Sequence, residues 1–192
     1  LRGLRRPDMA IEAMQITGAG RIARATTAGG ANVDGTISFT TTGLAPADPA
    51  LAQALGTVPG GTLRFLWQEG NDGLRIEQLS AGGDGYGLTG EGRLQGLGTA
   101  LALSGSIEAR VDDLSRAAAL AGRDLGGSAR ASLSGNAALL AGSFALTGRV
   151  EGQDLRMGQT EADALLRGAS TIDLSVTRDE TGTTLRQLDL IA

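Results

Sequence analysis

The feature that most constrains this chain is the alternation of apolar and polar residues along many short segments. In segment 143–151, for example, Phe144, Leu146 and Val150 alternate with polar residues such as Thr147. Successive side chains of a β-strand point to opposite faces, so this pattern predicts strands with one apolar and one polar face. The same alternation runs through segments 62–67, 86–94, 98–111, 127–135 and 171–177, with Leu66 as an interruption.

Turn-forming residues separate some of these segments. An Asn-Asp-Gly run occupies 71–73, and an Asp-Glu-Thr-Gly run occupies 179–182. Such runs between alternating segments predict β-hairpins.

Three short helices are predicted between strands. The first has Asp48 as its cap, Pro49 at its first position and Gly56 at its end, and the second is capped by Asp112 or Asp113. The third begins at a capping box formed by Thr160 and Asp163, and it ends before 168.

Strand, short helix, glycine turn and strand recur as a degenerate repeat. The helices start at about 48, 113 and 160, so the period is irregular. Units of this kind bury their apolar faces only against their neighbours, which gives an elongated body. The predicted fold is therefore all-β with short helices, an elongated curled β-sheet groove in which 1–192 form a single segment, divisible at most into 1–96 and 97–192.

The charge and the residue composition exclude several classes of function. The 17 basic residues are all arginine and are outnumbered by 21 acidic ones, giving a net charge of −4, which argues against a nucleic-acid partner. The chain has no histidine and no cysteine, so the usual catalytic triads and zinc sites are excluded. The acidic pairs at 112–113 and 179–180 are interpreted as a helix cap and a turn. We expect no enzymatic activity, no catalytic residues, no cofactor and no metal.

Two glycine-rich segments resemble ligand-binding motifs but are better explained by structural roles. Segment 18–23 matches a dinucleotide-binding fingerprint, but that motif requires a helix to begin there, and the following residues are poor helix formers. Segment 82–87 is similar to a single calcium-binding β-roll repeat, which needs several copies. A glycine-rich turn is the favoured interpretation.

The repeat phrase itself resembles a known family. VDDLSRAAALAG at 111–122 and GGSARASLSG at 126–135, with similar stretches at 142–168 and 172–190, resemble the TamB-type translocation and assembly modules of the AsmA-like superfamily. The resemblance implies a β-taco-like periplasmic groove with an apolar interior in an inner-membrane-anchored protein of Gram-negative bacteria. It also implies lipid transport, outer-membrane biogenesis, and a partner outer-membrane barrel of the TamA type, contacted outside or at the end of this segment.

Apolar residues at inward strand positions are predicted to line a trough that binds phospholipid acyl chains. Each buried methylene gains about 0.8 kcal/mol, so a chain of roughly 16 carbons could gain on the order of 10 kcal/mol before entropy losses. The predicted lining residues are Leu63, Phe65, Trp67, Tyr86, Leu88, Leu101, Leu103, Ile107, Leu133, Phe144, Leu146, Ile172, Leu174 and Val176.

Other interpretations remain open from the residues alone. The same alternation fits the dry core of a closed β-sandwich. A further hypothesis is a β-augmentation scaffold, or chaperone, whose exposed strand edge pairs with outer-membrane or exported client proteins. The irregular helix spacing disfavours an exported β-helix. Arginines on outward positions are interpreted as a solvated face, of which a subset near an open seam would meet lipid phosphates.

Overall fold

A computed structural model describes residues 2–6, 9–24, 30–96 and 101–192, with the backbone alone for 4–6. In these ranges, eleven strands form one antiparallel sheet in which every strand pairs with its neighbours in the chain. The strands are β1 (Arg2–Arg6), β2 (Met9–Arg24), β3 (Ala31–Pro46), β4 (Gly60–Gln68), β5 (Gly73–Gly83), β6 (Tyr86–Gln95), β7 (Ala102–Val111), β8 (Gly126–Ala138), β9 (Ser143–Arg156), β10 (Ala169–Asp179) and β11 (Gly182–Ile191).

The helices of the described residues lie at one end of this sheet. Helix α1 (Pro49–Leu55) connects β3 to β4, a 3₁₀ turn (Leu114–Ala117) followed by α2 (Ala118–Ala121) connects β7 to β8, and α3 (Thr160–Leu165) connects β9 to β10. We call the margin formed by 46–60, 84–85, 111–126 and 156–169 the helix-bearing end. At the opposite end, turns such as 69–72 and 180–181 join the strands directly.

Two of the three predicted helix starts are confirmed. The Asp48 carboxylate accepts a hydrogen bond from the Ala50 N–H at 2.8 Å, and the helix ends at Gly56 with φ +69°. Of the two candidate caps of the second helix, Asp113 is the one used, because its carboxylate accepts from the Ser115 N–H at 2.9 Å. Both caps satisfy amide donors that a helix leaves free.

The predicted capping box of the third helix is wrong. Thr160 is the first residue of α3 rather than its cap, and the cap residue Gln159 makes no side-chain hydrogen bond. Asp163 instead accepts from the Met157 N–H at 2.7 Å, across the loop that precedes the helix. The box pattern fails because the helix starts at Thr160, one residue earlier than a Thr160 cap requires.

The sheet is a single open layer. Its accessible surface is 12440 Å², against about 8500 Å² for a compact protein of this mass. The prediction of an all-β chain with short helices and a curled, open sheet is confirmed, and the closed β-sandwich is not formed. Within the described ranges, no helix is long and apolar enough to cross a membrane.

The side chains that are best buried lie at the helix-bearing end. Ile11 and Leu44 face each other across the β2–β3 ladder with 6% and 8% exposure, and Leu155 and Leu166 flank α3 with 8% and 5%. No described side chain is exposed by less than 2%. The described part of the chain therefore has a small hydrophobic core at its helix-bearing end, and the middle of the sheet has no such core.

The two glycine motifs are placed by the strands. Segment 18–23 lies inside β2, so no helix begins there and the geometry of a dinucleotide fingerprint is absent from it. Segment 82–87 forms the β5–β6 turn, with Gly85 at φ +74°. The division considered between 96 and 97 falls at residues 97–100, which lie outside the described part of the chain.

Candidate functional site

One face of the sheet is apolar across eight strands, β3 to β10. We call this the apolar face and define it by three neighbouring cross-strand rows, which contain only Gly, Ala, Val, Leu, Ile and Phe. The rows are Gly35–Phe65–Ile76–Gly92–Gly105–Gly135–Leu146–Val176, Ile37–Leu63–Leu79–Gly90–Ile107–Leu133–Gly148–Leu174, and Phe39–Gly61–Ala81–Leu88–Ala109–Ala131–Val150–Ile172.

The strand register brings most of the predicted lining residues together. Nine of them occupy the three rows: Leu63, Phe65, Leu88, Ile107, Leu133, Leu146, Ile172, Leu174 and Val176. Three more form part of the adjoining row on the same face: Trp67, Leu103 and Phe144.

Two predicted lining residues lie elsewhere. Leu101 precedes β7 with φ +43°, so it is not a strand residue as the alternation of 98–111 predicts, and 98–100 are outside the described residues. Tyr86 begins β6 at the helix-bearing end, where its hydroxyl donates to the Leu55 carbonyl at 2.9 Å. The Arg116 guanidinium lies 5.0 Å from the centre of its ring. Tyr86 therefore contacts both the α1 connection and the β7–β8 connection and holds them against the sheet.

The apolar face is uncovered. Ile37 and Ile107 remain 43% and 37% exposed although both project from the middle rows, and Ile16 and Leu188 near the two edges reach 62% and 59%. Side chains between two packed sheets would be almost fully buried. An exposed apolar surface of this extent indicates a binding surface.

Glycines form a depression in the middle of the apolar face. Gly92, Gly105 and Gly135 are consecutive in one row, so β6, β7 and β8 present no side chain there. A Cβ at Gly105 would lie 2.7 Å from the Cα of Gly92, closer than real Cβ contacts. Glycine is thus required by the close approach of the strands, and its absence of a side chain leaves room for a guest.

The opposite face is polar and borders open hollows. One hollow of about 790 Å³ is lined by polar residues of β3 to β9 and also by residues of the third apolar row such as Phe39 and Leu88. Its polar lining includes a cross-strand pair of hydroxyls, Ser38 Oγ and Thr62 Oγ1, which are 3.0 Å apart.

Charged groups on the polar face are partly paired. Arg149 donates to both carboxylate oxygens of Asp173, at 2.7 and 2.9 Å. This hydrogen-bonded pairing lowers the pKa of Asp173 below its usual value and raises that of Arg149. The pair joins β9 to β10 on the face away from the apolar rows.

The two acidic pairs singled out in the sequence make local hydrogen bonds. Asp113 bonds to Ser115, and Asp179 accepts from the Thr181 N–H at 2.8 Å. In each case the hydrogen bonds from the neighbouring side chain and backbone lower the pKa of the carboxyl group. These contacts are those of a cap and a turn.

Sequence reasoning missed the contribution of β3 and β5 to the apolar face. Ile37 and Phe39 project from β3, and Ile76 and Leu79 from β5, on either side of Leu63 and its strand. The signal in β3 was the alternation of Val33, Gly35, Ile37 and Phe39. In β5 a bulge between Ile76 and Leu79 hides the alternation.

Comparisons of this chain with protein-family models, with curated proteins and with solved structures find no match.

Proposed function

We propose that the chain is a segment of a TamB-type groove protein whose apolar face guides phospholipid acyl chains between the inner and outer membranes. The observation that carries the proposal is the uncovered apolar face, where three rows without a polar side chain continue across eight strands. The action is passive guidance, with no chemical step.

The size and chemistry of the face suit a long hydrocarbon. Strands lie about 4.8 Å apart, so eight strands make a continuous apolar path about 34 Å long across the sheet. Hydrocarbon on this path meets no group that must be desolvated, and each buried methylene gains about 0.8 kcal/mol. At Gly92, Gly105 and Gly135 the path has no side chains, so it contains a depression there but no polar group.

Cellular placement is the part of the proposal that rests on sequence resemblance. The stretches 111–122 and 126–135 form the β7–β8 helical connection and the start of β8. Their similarity to the family repeat supports a periplasmic location, an inner-membrane anchor in the full protein, and a TamA-type barrel partner in support of outer-membrane assembly.

Site-specific photocrosslinking tests the use of the apolar face. Benzoylphenylalanine at Ile107 or Leu133 should label phospholipid at least about fivefold more than at the adjacent Ser106 or Ser132, because adjacent strand residues point to opposite faces. Equal labelling of the two sets would contradict the proposal.

A charge on the apolar face should block acyl binding. Leu146→Asp places a carboxylate on the path, where its desolvation opposes the guest, so we expect the phospholipid recovered with the purified chain to fall at least about tenfold. Thr147→Asp adds the same charge on the polar face and should leave recovery unchanged. Native mass spectrometry measures both.

A second candidate function is strand addition at β11. This edge strand contains no proline, and every residue of it is exposed, including Leu185 at 54% and Leu188 at 59%. Natural proteins usually protect such edges, because an unpaired strand accepts another chain. We propose as the alternative that β11 pairs with a β-strand of an outer-membrane or exported client.

Proline substitutions separate the two functions. Alternate residues of an edge strand direct their N–H groups toward the neighbouring strand and away from it. Of the two variants Leu188→Pro and Asp189→Pro, one therefore removes an N–H that bonds to β10, and the other removes an N–H that points outward and is available to a client strand. That variant should lose binding of an unfolded barrel peptide and keep phospholipid. If Leu146→Asp abolishes peptide binding while both prolines leave it intact, strand addition at β11 is refuted.

A further inference from the structure

Three arginines converge on the polar face near the β4–β5 turn. The register places Arg21, Asp34, Leu66, Arg75 and Arg93 in one cross-strand row from β2 to β6. Arg75 and Arg93 are direct partners, and like charges that face each other across a ladder destabilise a sheet.

Nearby carboxylates do not neutralise these arginines. Asp34 lies 3.7 Å from Arg64, which also binds Glu77 at 3.2 Å. In the part of the chain that the structure describes, no carboxylate lies within 4.0 Å of Arg21, Arg75 or Arg93. Three guanidinium groups are thus left without an anionic partner in one row.

The same three arginines line a hollow of about 660 Å³. The amide-bearing residues Asn32, Gln68 and Gln95 also line it. Gln68 accepts from Asn71 through its oxygen at 3.1 Å, which leaves its NH₂ group free to donate. The lining includes two carboxylates, Asp34 and Asp72, so positive charge exceeds negative charge there.

We propose that this hollow binds a phosphate group. The planar guanidinium fork matches two phosphate oxygens at once, and a phosphate between Arg75 and Arg93 would convert their mutual repulsion into two attractions. Amide donors would satisfy the remaining oxygens. The group belongs either to a soluble phosphorylated compound or to a lipid headgroup. The site is on the opposite face from the acyl path and stands independently of it.

Titration of the intact chain with inorganic phosphate at constant ionic strength tests the site. We expect saturable binding by calorimetry, and a rise in melting temperature relative to chloride, because a ligand of the folded state stabilises it. Arg75→Gln combined with Arg93→Gln should weaken binding at least about tenfold.

The fold supplies a matched control. Arg110 and Arg130 are also direct cross-strand partners on the polar face, and Arg110 has Asp112 at 3.7 Å. Arg110→Gln combined with Arg130→Gln removes the same charge and should change phosphate affinity by less than about twofold. Absence of saturable binding, or equal weakening by both double variants, would overturn the proposal.

A charge-conserving variant addresses folding. Arg75→Lys with Arg93→Lys keeps the charges but removes the forks, so it should fold as the parent does and still weaken phosphate binding. Unchanged affinity in this variant would refute recognition by the forks.

Competition identifies the source of the phosphate. If glycerol phosphate displaces inorganic phosphate, the site takes soluble compounds; if phosphatidylglycerol vesicles do so and phosphatidylcholine vesicles and glycerol phosphate do not, it takes an anionic headgroup. Failure of all these competitors would overturn a site for phosphate esters.

Discussion

The helix-bearing end and the middle of the sheet are built from the same strands and differ in what stabilises them. At the helix-bearing end, Ile11, Leu44, Leu155 and Leu166 are all less than 9% exposed. In the middle, Ile37 and Ile107 stay more than a third exposed and the other large side chains of the rows are only partly buried, while backbone ladders with glycine contacts hold the strands together.

This difference separates stability from binding. Burial of apolar side chains is the dominant source of folding free energy, and here it is concentrated where the helices cover the strand ends. The middle keeps its apolar surface uncovered, so a guest can gain there the free energy that a second sheet would otherwise gain. Truncation at the two places should therefore have unequal effects.

Leu166→Ala should show the largest effect on stability. Its side chain is 5% exposed, and removal of a buried leucine costs about 2–4 kcal/mol. Leu133→Ala in the middle rows removes the same atoms from a half-buried site and should cost about half as much. Urea denaturation measures both. Equal losses would break the distinction between the two regions.

Gly105→Ala tests whether backbone approach holds the middle of the sheet. The added methyl would lie 2.7 Å from the Gly92 Cα, and such overpacking costs about 1–3 kcal/mol. Gly18→Ala is the control, because its nearest neighbour is the Thr36 carbonyl oxygen at 3.9 Å. A Gly105→Ala variant as stable as Gly18→Ala would show that this contact yields without cost.

Asp48→Ala should weaken the helix-bearing end. The carboxylate caps α1 through the Ala50 and Leu51 amides, and loss of such a cap costs about 1 kcal/mol. Asp48→Ser keeps an acceptor and should restore most of the loss in thermal unfolding. A serine variant no more stable than the alanine variant would argue against capping.

Asp173→Asn should give the smallest effect, and one that depends on pH. The hydrogen bonds from Arg149 lower the pKa of Asp173 in the folded chain. A carboxyl group whose folded pKa lies below its unfolded value of about 3.9 stabilises the fold above that value, and the stabilisation disappears as pH falls through the folded pKa.

The parent and Asp173→Asn should therefore differ in melting temperature at pH 7 and converge below about pH 3. Arg149→Gln removes the same ion pair and should lose the same pH-dependent difference. A difference that persists in acid would mean that the substitution acts through packing instead.

The alternation in the sequence was sufficient to predict the faces of β7 to β10, because successive side chains of a strand point to opposite faces and an apolar face therefore shows a period of two. Twelve of the predicted lining residues lie on one side for that reason. The caps Asp48 and Asp113 were predictable because capping uses bonds within three residues.

Other features depend on contacts between strands and could not be derived. Cross-strand register decides that Arg75 faces Arg93, and no local pattern in either strand specifies the partner. The bulges at Arg64/Phe65 and between Ile76 and Leu79 shift the alternation, so β5 escaped prediction. The helix start at Thr160 was misplaced, since one residue decides a cap.

The order of the strands has a consequence for how the molecule is assembled. Because each strand lies beside the one made just before it, a nascent chain can dock every new hairpin onto an existing template without waiting for distant residues. Folding in this order can stop after any hairpin without leaving earlier strands unpaired. A chain shortened by one hairpin would therefore present a narrower version of the apolar face.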